Sequence, residues 1–189
     1  MYGAGNIGRG FIGQLLYQSG YETSFVDVAP KVIEQLNTQH SYPVRILYKD
    51  TYEEQMVEKV SCVDGNDIEA VATAIAEADV MATAVGVNIL KFIIGPVSEG
   101  LKKRFADPAS KPLNIIICEN LIGADTYLKN AIAEKLNDEE KKLLDEKVGF
   151  VEASIGRMVP VQTPEMQGDN PLRVCVESYG VLPVDKAAF

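Results

Sequence analysis

Gly3-Ala4-Gly5-Asn6-Ile7-Gly8-Arg9-Gly10 stands at the start of the chain, and Asp27 closes the run Thr23-Ser24-Phe25-Val26-Asp27. Three glycines at this spacing can cradle a diphosphate. The first permits a tight strand-to-helix turn, the second removes the Cβ that would keep a diphosphate off the backbone, and the third lets the helix pack close to its strand. Free N–H groups at the helix start then face the phosphates, where the helix dipole favours negative charge. A carboxylate at Asp27 can accept hydrogen bonds from adenosine ribose hydroxyls and would repel a 2′-phosphate, which predicts NAD rather than NADP. The residues assigned to the cofactor here are Gly3, Ala4, Gly5, Asn6, Ile7, Gly8, Arg9, Gly10 and Asp27. The competing reading is a glycine-rich turn without a ligand. A helical pattern after the glycines, a strand after that and an acid at the strand end favour the nucleotide.

Elements that would position this turn follow along the chain. Gly8 to Ser19 reads as a helix with a stripe of Phe11, Ile12, Leu15 and Leu16, closed by Gly20. Gly10 and Gly13 weaken its intrinsic helicity, so close approach to a neighbour is the expected compensation. Pro30 opens a second helix through Leu36. Val44 to Tyr48 and Met56 to Val60 read as an inserted β-hairpin. Asp67 caps a helix through Ala78. Val80 to Gly86 is a buried parallel strand, followed by a helix from Ile89 to Phe105 with Gly95-Pro96 as a point of interruption. Leu113 to Cys118 is a strand ending at Glu119-Asn120, then a helix runs to Leu136. Asp138 starts another helix, Val148 to Ala153 is a strand, and Leu172 to Ser178 alternates like an antiparallel addition. The alternation predicts an α/β, doubly wound, Rossmann-type and mostly parallel sheet, with the hairpin inserted and an antiparallel strand near the C-terminus. Ligand contacts belong at the carboxyl ends of its strands, which adds Val85, Gly86, Glu119 and Asn120 to the cofactor set.

Bulk properties exclude several classes. The 189 residues suffice for one domain with a sizeable core, here taken as residues 1–189. A net charge of −9 argues against nucleic acid or an anionic membrane as partner. No apolar stretch is long enough to span a bilayer, and no signal peptide is evident. Cys62, Cys118 and Cys175 are widely spaced and form no metal-ligand pattern, which fits a reducing cytoplasm. His40, the only histidine, reads as a surface residue near a helix end rather than a catalytic one. No metal is expected.

Gly3-Ala4-Gly5-Asn6-Ile7-Gly8-Arg9-Gly10-Phe11-Ile12-Gly13 closely resembles the opening of mannitol-1-phosphate 5-dehydrogenases, within the polyol/mannitol dehydrogenase superfamily. So do Thr83-Ala84-Val85-Gly86, Asn114-Ile115-Ile116-Ile117-Cys118-Glu119-Asn120, Val148-Gly149-Phe150-Val151, Arg157-Met158-Val159-Pro160 and Val184-Asp185-Lys186. The resemblance runs the length of the chain. It implies NAD-dependent, reversible conversion of mannitol 1-phosphate to fructose 6-phosphate, with NAD(H) and a sugar phosphate as small-molecule partners. It also implies a helical C-terminal domain, downstream of this chain, that carries the lysine base with an asparagine and a histidine. No lysine here matches that motif, so little or no turnover is expected of these residues alone.

Asn120 matches the family's Rossmann-side asparagine near the reacting oxygen, where its amide can donate to a carbonyl or alkoxide. It could equally cap the next helix, and both roles can hold together. Glu119 reads as either a cofactor-side or a structural carboxylate. Arg157 could meet a substrate phosphate or make a surface or structural ion pair. The family pattern is broken at Gly156, where many superfamily members have aspartate. Only Met1 and Tyr2 precede Gly3, so the first strand is expected to be stunted. Two other functions fit the same residues. One is a superfamily dehydrogenase acting on an unphosphorylated polyol or a hexuronate. The other is a non-catalytic module that senses NADH.

Overall fold

The computed structural model describes residues 1–189 and divides the chain into two compact units, Met1–Asp64 with Gly156–Leu182 and Gly65–Ile155 with Pro183–Phe189. Both are α/β, with parallel pairing dominant.

In the first unit the glycine turn leads into a π-helical turn, Gly8–Gly13, that continues as α1, Gln14–Gln18. Then follow β1 (Thr23–Asp27), α2 (Pro30–Gln39), β2 (Ser41–Leu47), β3 (Tyr52–Glu58) and β4 (Val60–Asp64). Pro30 occupies the first turn of α2, where its missing N–H costs nothing. β1 and β4 pair in parallel, Phe25 beside Cys62. β2 and β3 form the expected hairpin, whose strands begin earlier than their sequence pattern suggests.

The second hairpin strand was expected to run through Val60. It stops at Glu58 because Lys59 adopts a left-handed φ of 57°, and Val60 opens β4 instead. Asn37 ties α2 to β4 by donating to the Cys62 carbonyl (2.8 Å) and accepting from its N–H (2.7 Å). The first strand is reduced to a single bridge, Tyr2 beside Val26, supported by Gly3 N–H to the Val26 carbonyl and Val26 N–H to the Met1 carbonyl.

The unit is completed by α7 (Pro164–Gln167) and β8 (Val174–Glu177). The Leu172–Ser178 strand was expected to be antiparallel. It pairs with β2 in parallel, Val44 beside Val174, so the antiparallel member of this sheet is β3 and the order is β3-β2-β8. The alternation marks which face is buried, not the direction of the partner. Phe25, Leu36, Tyr42, Val44, Val57 and Val174 form the core. Each such side chain contributes roughly 1.5–3 kcal/mol on leaving water.

The second unit orders three parallel strands as β5-β6-β7: β5 (Val80–Thr83), β6 (Leu113–Ile117) and β7 (Val148–Glu152). Helices α3 (Ile68–Glu77), α4 (Val87–Phe105), α5 (Ala124–Ala133) and α6 (Asp138–Lys147) connect and flank them. Asp67 caps α3 as expected, accepting from Ala70 N–H at 3.0 Å. α4 runs unbroken through Pro96. Gly100 on α4 lets α3 approach, since a Cβ there would sit 2.6 Å from Ile75. The buried Arg104 donates to the carbonyls of Ala76 (2.7 Å) and Ala78 (2.8 Å), which satisfies the otherwise orphaned end of α3. α6 starts at Asp138 as expected, and Asn137 caps it in a reciprocal capping box with Glu140. An antiparallel bridge, Ala153 with Val184, is made near the C-terminus.

Candidate functional site

The glycine turn has the shape its sequence asks for. Gly3 adopts φ 98°, which a side chain would resist. A Cβ on Gly8 would collide with the Gly3 carbonyl oxygen, so the third glycine lets the helix start press directly on the turn. Gly5 is exposed, and a Cβ there would meet nothing within 4 Å. The first helical hydrogen bond of the turn runs from Arg9 N–H to the Gly5 carbonyl (2.9 Å). The amides ahead of it have no partner within the helix, as at any helix start. Residues Gly5 to Ile7 therefore offer an open backbone edge suited to a diphosphate.

Asp27 is bound to this turn. Its Oδ2 accepts from Ala4 N–H (2.8 Å), and its Oδ1 accepts from Val28 (2.8 Å) and Ala29 (3.0 Å). A carboxylate offers about four acceptor positions, so one remains for a hydroxyl donor. The acid thus fixes the geometry of the turn as well as carrying the charge that disfavours a 2′-phosphate.

Arg9, Gly10 and Arg157 are placed inside the fold. Arg9 is 5% exposed; it donates to the Ala4 carbonyl through Nη1 and to the Leu172 carbonyl through Nε (3.3 Å). Burial lowers its pKa against the opposing pull of Tyr42 and Asp27. Gly10 packs on β8, where a Cβ would come 2.6 Å from Val174 Cγ1. Gly13 likewise presses on Tyr42 and Phe25, which answers the expectation of close approach.

Arg157, 6% exposed, donates to the carbonyls of Gly10 (3.0 Å) and Tyr179 and to Gln14 Oε1, and its guanidinium lies 5.2 Å from the Phe11 ring centroid. Tyr42 donates its hydroxyl to the Arg9 carbonyl at 2.9 Å. The wide π turn leaves carbonyls that the regular helix ladder would have used, and Arg157 and Tyr42 fill them. Tyr42 and Gln14 carry no local signal that would have marked them, because the demand for them arises only once the helix widens. At Gly156 a Cβ would lie 3.0 Å from the Tyr179 ring, so a larger residue there would crowd it.

The second unit assembles the other predicted residues at the ends of β5 and β6. The strand expected through Gly86 ends at Thr83, because the backbone beyond it turns to meet Glu119. Glu119 is 8% exposed, and its two carboxylate oxygens accept from Val85 N–H and Gly86 N–H, both at 2.8 Å. It is thus a structural clamp on the β5–α4 loop, and those two amides are engaged within the protein. Gly86 takes φ 89° to enter α4.

Asn120 is exposed, and its side chain does not cap α5, whose N-cap is Gly123. Its amide is presented to solvent beside the clamped loop. His40 ends α2 in a left-handed conformation (φ 50°), with Nδ1 3.1 Å from the Val60 carbonyl. The cysteines are all buried and unpaired. Burial pushes the Cys62 and Cys118 thiols up to about 12. No group of His, Cys, Asp and Glu is arranged to hold a metal ion, and no helix is long and apolar enough to cross a membrane.

A glycine turn entering a helix, an acid bonded to it and α/β parallel pairing define a Rossmann-type chain. The chain belongs to the mannitol dehydrogenase Rossmann domain family, whose model matches residues 1–189. Among curated relatives, the mannitol-1-phosphate 5-dehydrogenase of Lactiplantibacillus plantarum is 39% identical over 186 residues, covering 98% of this chain and 47% of the relative. That of Shouchella clausii is 43% identical over 193 residues, covering 100% and 48%. The chain spans about half the length of the curated relatives it matches.

Among solved structures, a substrate-free D-sorbitol dehydrogenase superposes with a TM-score of 0.82 at 16% identity, over 98% of this chain and 49% of that one. A Pseudomonas fluorescens mannitol 2-dehydrogenase, in ternary complex with NAD and D-mannitol, gives 0.80 at 14% identity, over 98% and 48%. These two similarities establish the fold alone.

Proposed function

We propose that residues 1–189 are the NAD-binding part of an NAD-dependent mannitol-1-phosphate 5-dehydrogenase, which interconverts mannitol 1-phosphate and fructose 6-phosphate. The observation that carries the reading is 39–43% identity, across nearly the whole chain, to relatives of that name. The open edge at Gly5 and the acid at Asp27 fit the dinucleotide.

Bound NAD supplies the hydride acceptor for a secondary carbinol. The turn from Gly5 to Ile7 binds its diphosphate through backbone N–H groups. Asp27 keeps the turn in shape and uses its remaining acceptor position for a ribose hydroxyl. Asn120 donates its amide to the reacting oxygen as charge develops there, a contribution that grows toward the transition state. Glu119 holds the loop beside it. The hydroxyl proton passes to a lysine in a helical domain downstream, the partner that the family resemblance supplies. Arg157 donates to Gly10, Gln14 and Tyr179, which favours a structural role for it over contact with a substrate phosphate. The buried, unpaired thiols suit a reducing cytoplasm.

The test is the full-length protein assayed with NADH and a panel of fructose 6-phosphate, fructose and a hexuronate. The proposal expects NADH oxidation with fructose 6-phosphate far above the others. Preference for an unphosphorylated substrate would move the protein elsewhere in the superfamily, and NADH binding without turnover of any substrate would favour the sensing role.

A further inference from the structure

We infer that Arg9 is a positioning residue for the diphosphate: it does not touch the ligand, but holds the Ala4–Gly5 peptide so that the Gly5 N–H faces outward. In a planar trans peptide the C=O of one residue and the N–H of the next point in opposite directions. Arg9 Nη1 draws the Ala4 carbonyl inward, so the N–H of Gly5 is turned the other way. That side is open: Gly5 is exposed, a Cβ on it would meet nothing within 4 Å, and none of the turn's hydrogen bonds uses its N–H.

The neighbouring peptide is fixed independently, because Ala4 N–H donates to Asp27 Oδ2 at 2.8 Å. Two anchors on successive peptides leave the turn one orientation. Arg9 is itself held, by the Leu172 carbonyl through Nε and by Tyr42, whose hydroxyl donates to the Arg9 carbonyl. The guanidinium forms no ion pair, and it is almost wholly buried. Its positive charge therefore lies under the turn with no ion-pair partner, only the longer-range pull of Tyr42, Asp27 and Cys62. A diphosphate on the outer face supplies a counter-charge to it without replacing any of its hydrogen bonds. Lysine carries its three N–H donors on one nitrogen and does not reproduce the planar fork by which Nη1 and Nε reach the Ala4 and Leu172 carbonyls.

This inference rests on the dinucleotide reading, and the experiment separates the two. The full-length protein, nitrogen-labelled at glycine, is titrated with ADP and with adenosine, which lacks the phosphates. In the unmodified protein ADP shifts the Gly5 N–H resonance and slows its exchange, while adenosine leaves it unmoved. Arg9→Met weakens ADP about tenfold, the worth of one hydrogen bond to a charged group, and leaves adenosine affinity unchanged. Arg9→Lys falls between the two and is used where the Met variant does not fold. If ADP leaves Gly5 undisturbed in the unmodified protein, the dinucleotide reading and the inference both fail. If Gly5 responds to ADP but both folded variants bind it as tightly as the unmodified protein, the inference alone fails.

Discussion

Glu119→Gln tests how the loop beside Asn120 is held. Each oxygen of the Glu119 carboxylate accepts one backbone N–H, from Val85 and from Gly86, both at 2.8 Å. Glutamine keeps one acceptor and places an NH2 donor where the other oxygen was. One partly buried N–H then faces a donor and loses a bond to a charged group, worth about 1.5–3 kcal/mol, and the surviving bond loses its charge assistance. The combined loss is about 2–3 kcal/mol. For a chain of this size, where 1 kcal/mol moves Tm by about 2–4 °C, Tm falls by roughly 4–12 °C.

The assay is thermal unfolding followed by circular dichroism, with amide exchange at Val85 and Gly86 read in parallel. Glu152→Gln is the control, since Glu152 accepts from Gly123 N–H at 3.1 Å in an exposed position and its loss should cost about 0.5 kcal/mol or less. A Glu119→Gln variant whose Tm lies within about 1 °C of the unmodified protein would refute the clamp. So would unchanged exchange at both amides.

Two glycine substitutions should separate stability from binding. Gly5→Ala enters open space at an ordinary φ, so stability stays level or rises by about 0.4–1 kcal/mol, while NADH affinity falls because the methyl occupies the face meant for the diphosphate. Gly8→Ala strikes the Gly3 carbonyl and lowers both stability and affinity; urea unfolding and NADH titration read the pair. Asn137→Ala removes the capping box of α6 and costs about 1 kcal/mol in the urea midpoint, without altering NADH affinity.

Burial raises the Cys62 and Cys118 thiols and the Tyr2 hydroxyl to about 12. Their folded pKa values lie above the unfolded ones, so the stabilisation they contribute is fully present below about pH 9 and is lost as pH rises toward 12. The urea midpoint should decline across that window, and both cysteines should resist alkylation at about pH 8 in the folded protein, as read by mass spectrometry.

The parts of this fold that were legible in the sequence are those decided locally. Gly3 at positive φ, Pro30 opening α2, Asp67 capping α3 and the β1 run ending at Asp27 each follow from a residue's own backbone or hydrogen-bonding preference. What was not legible depends on distant partners. The boundary between β3 and β4 is hidden because the break falls on Lys59, a residue without the usual signature of a left-handed turn.

The direction of β8 is not legible, because alternation is the same in parallel and antiparallel strands that expose one face. Arg157 reads as a cation for a substrate phosphate and Arg9 as part of the cofactor turn, yet backbone carbonyls engage both, including Gly10's in the widened helix turn. Nothing in the local pattern announces that widening. Glu119 reads as either a cofactor-side or a structural carboxylate, and only the backbone excursion after Thr83 brings the Val85 and Gly86 amides to its two oxygens.

The claim on which the rest depends is that the dinucleotide lies against the opening turn. A crystal structure of the full-length protein with NAD measures this directly. The account predicts the diphosphate within hydrogen-bond distance of the Gly5 to Ile7 amides and an adenosine ribose hydroxyl on Asp27 Oδ2. A dinucleotide bound elsewhere, with that turn unchanged, would contradict it.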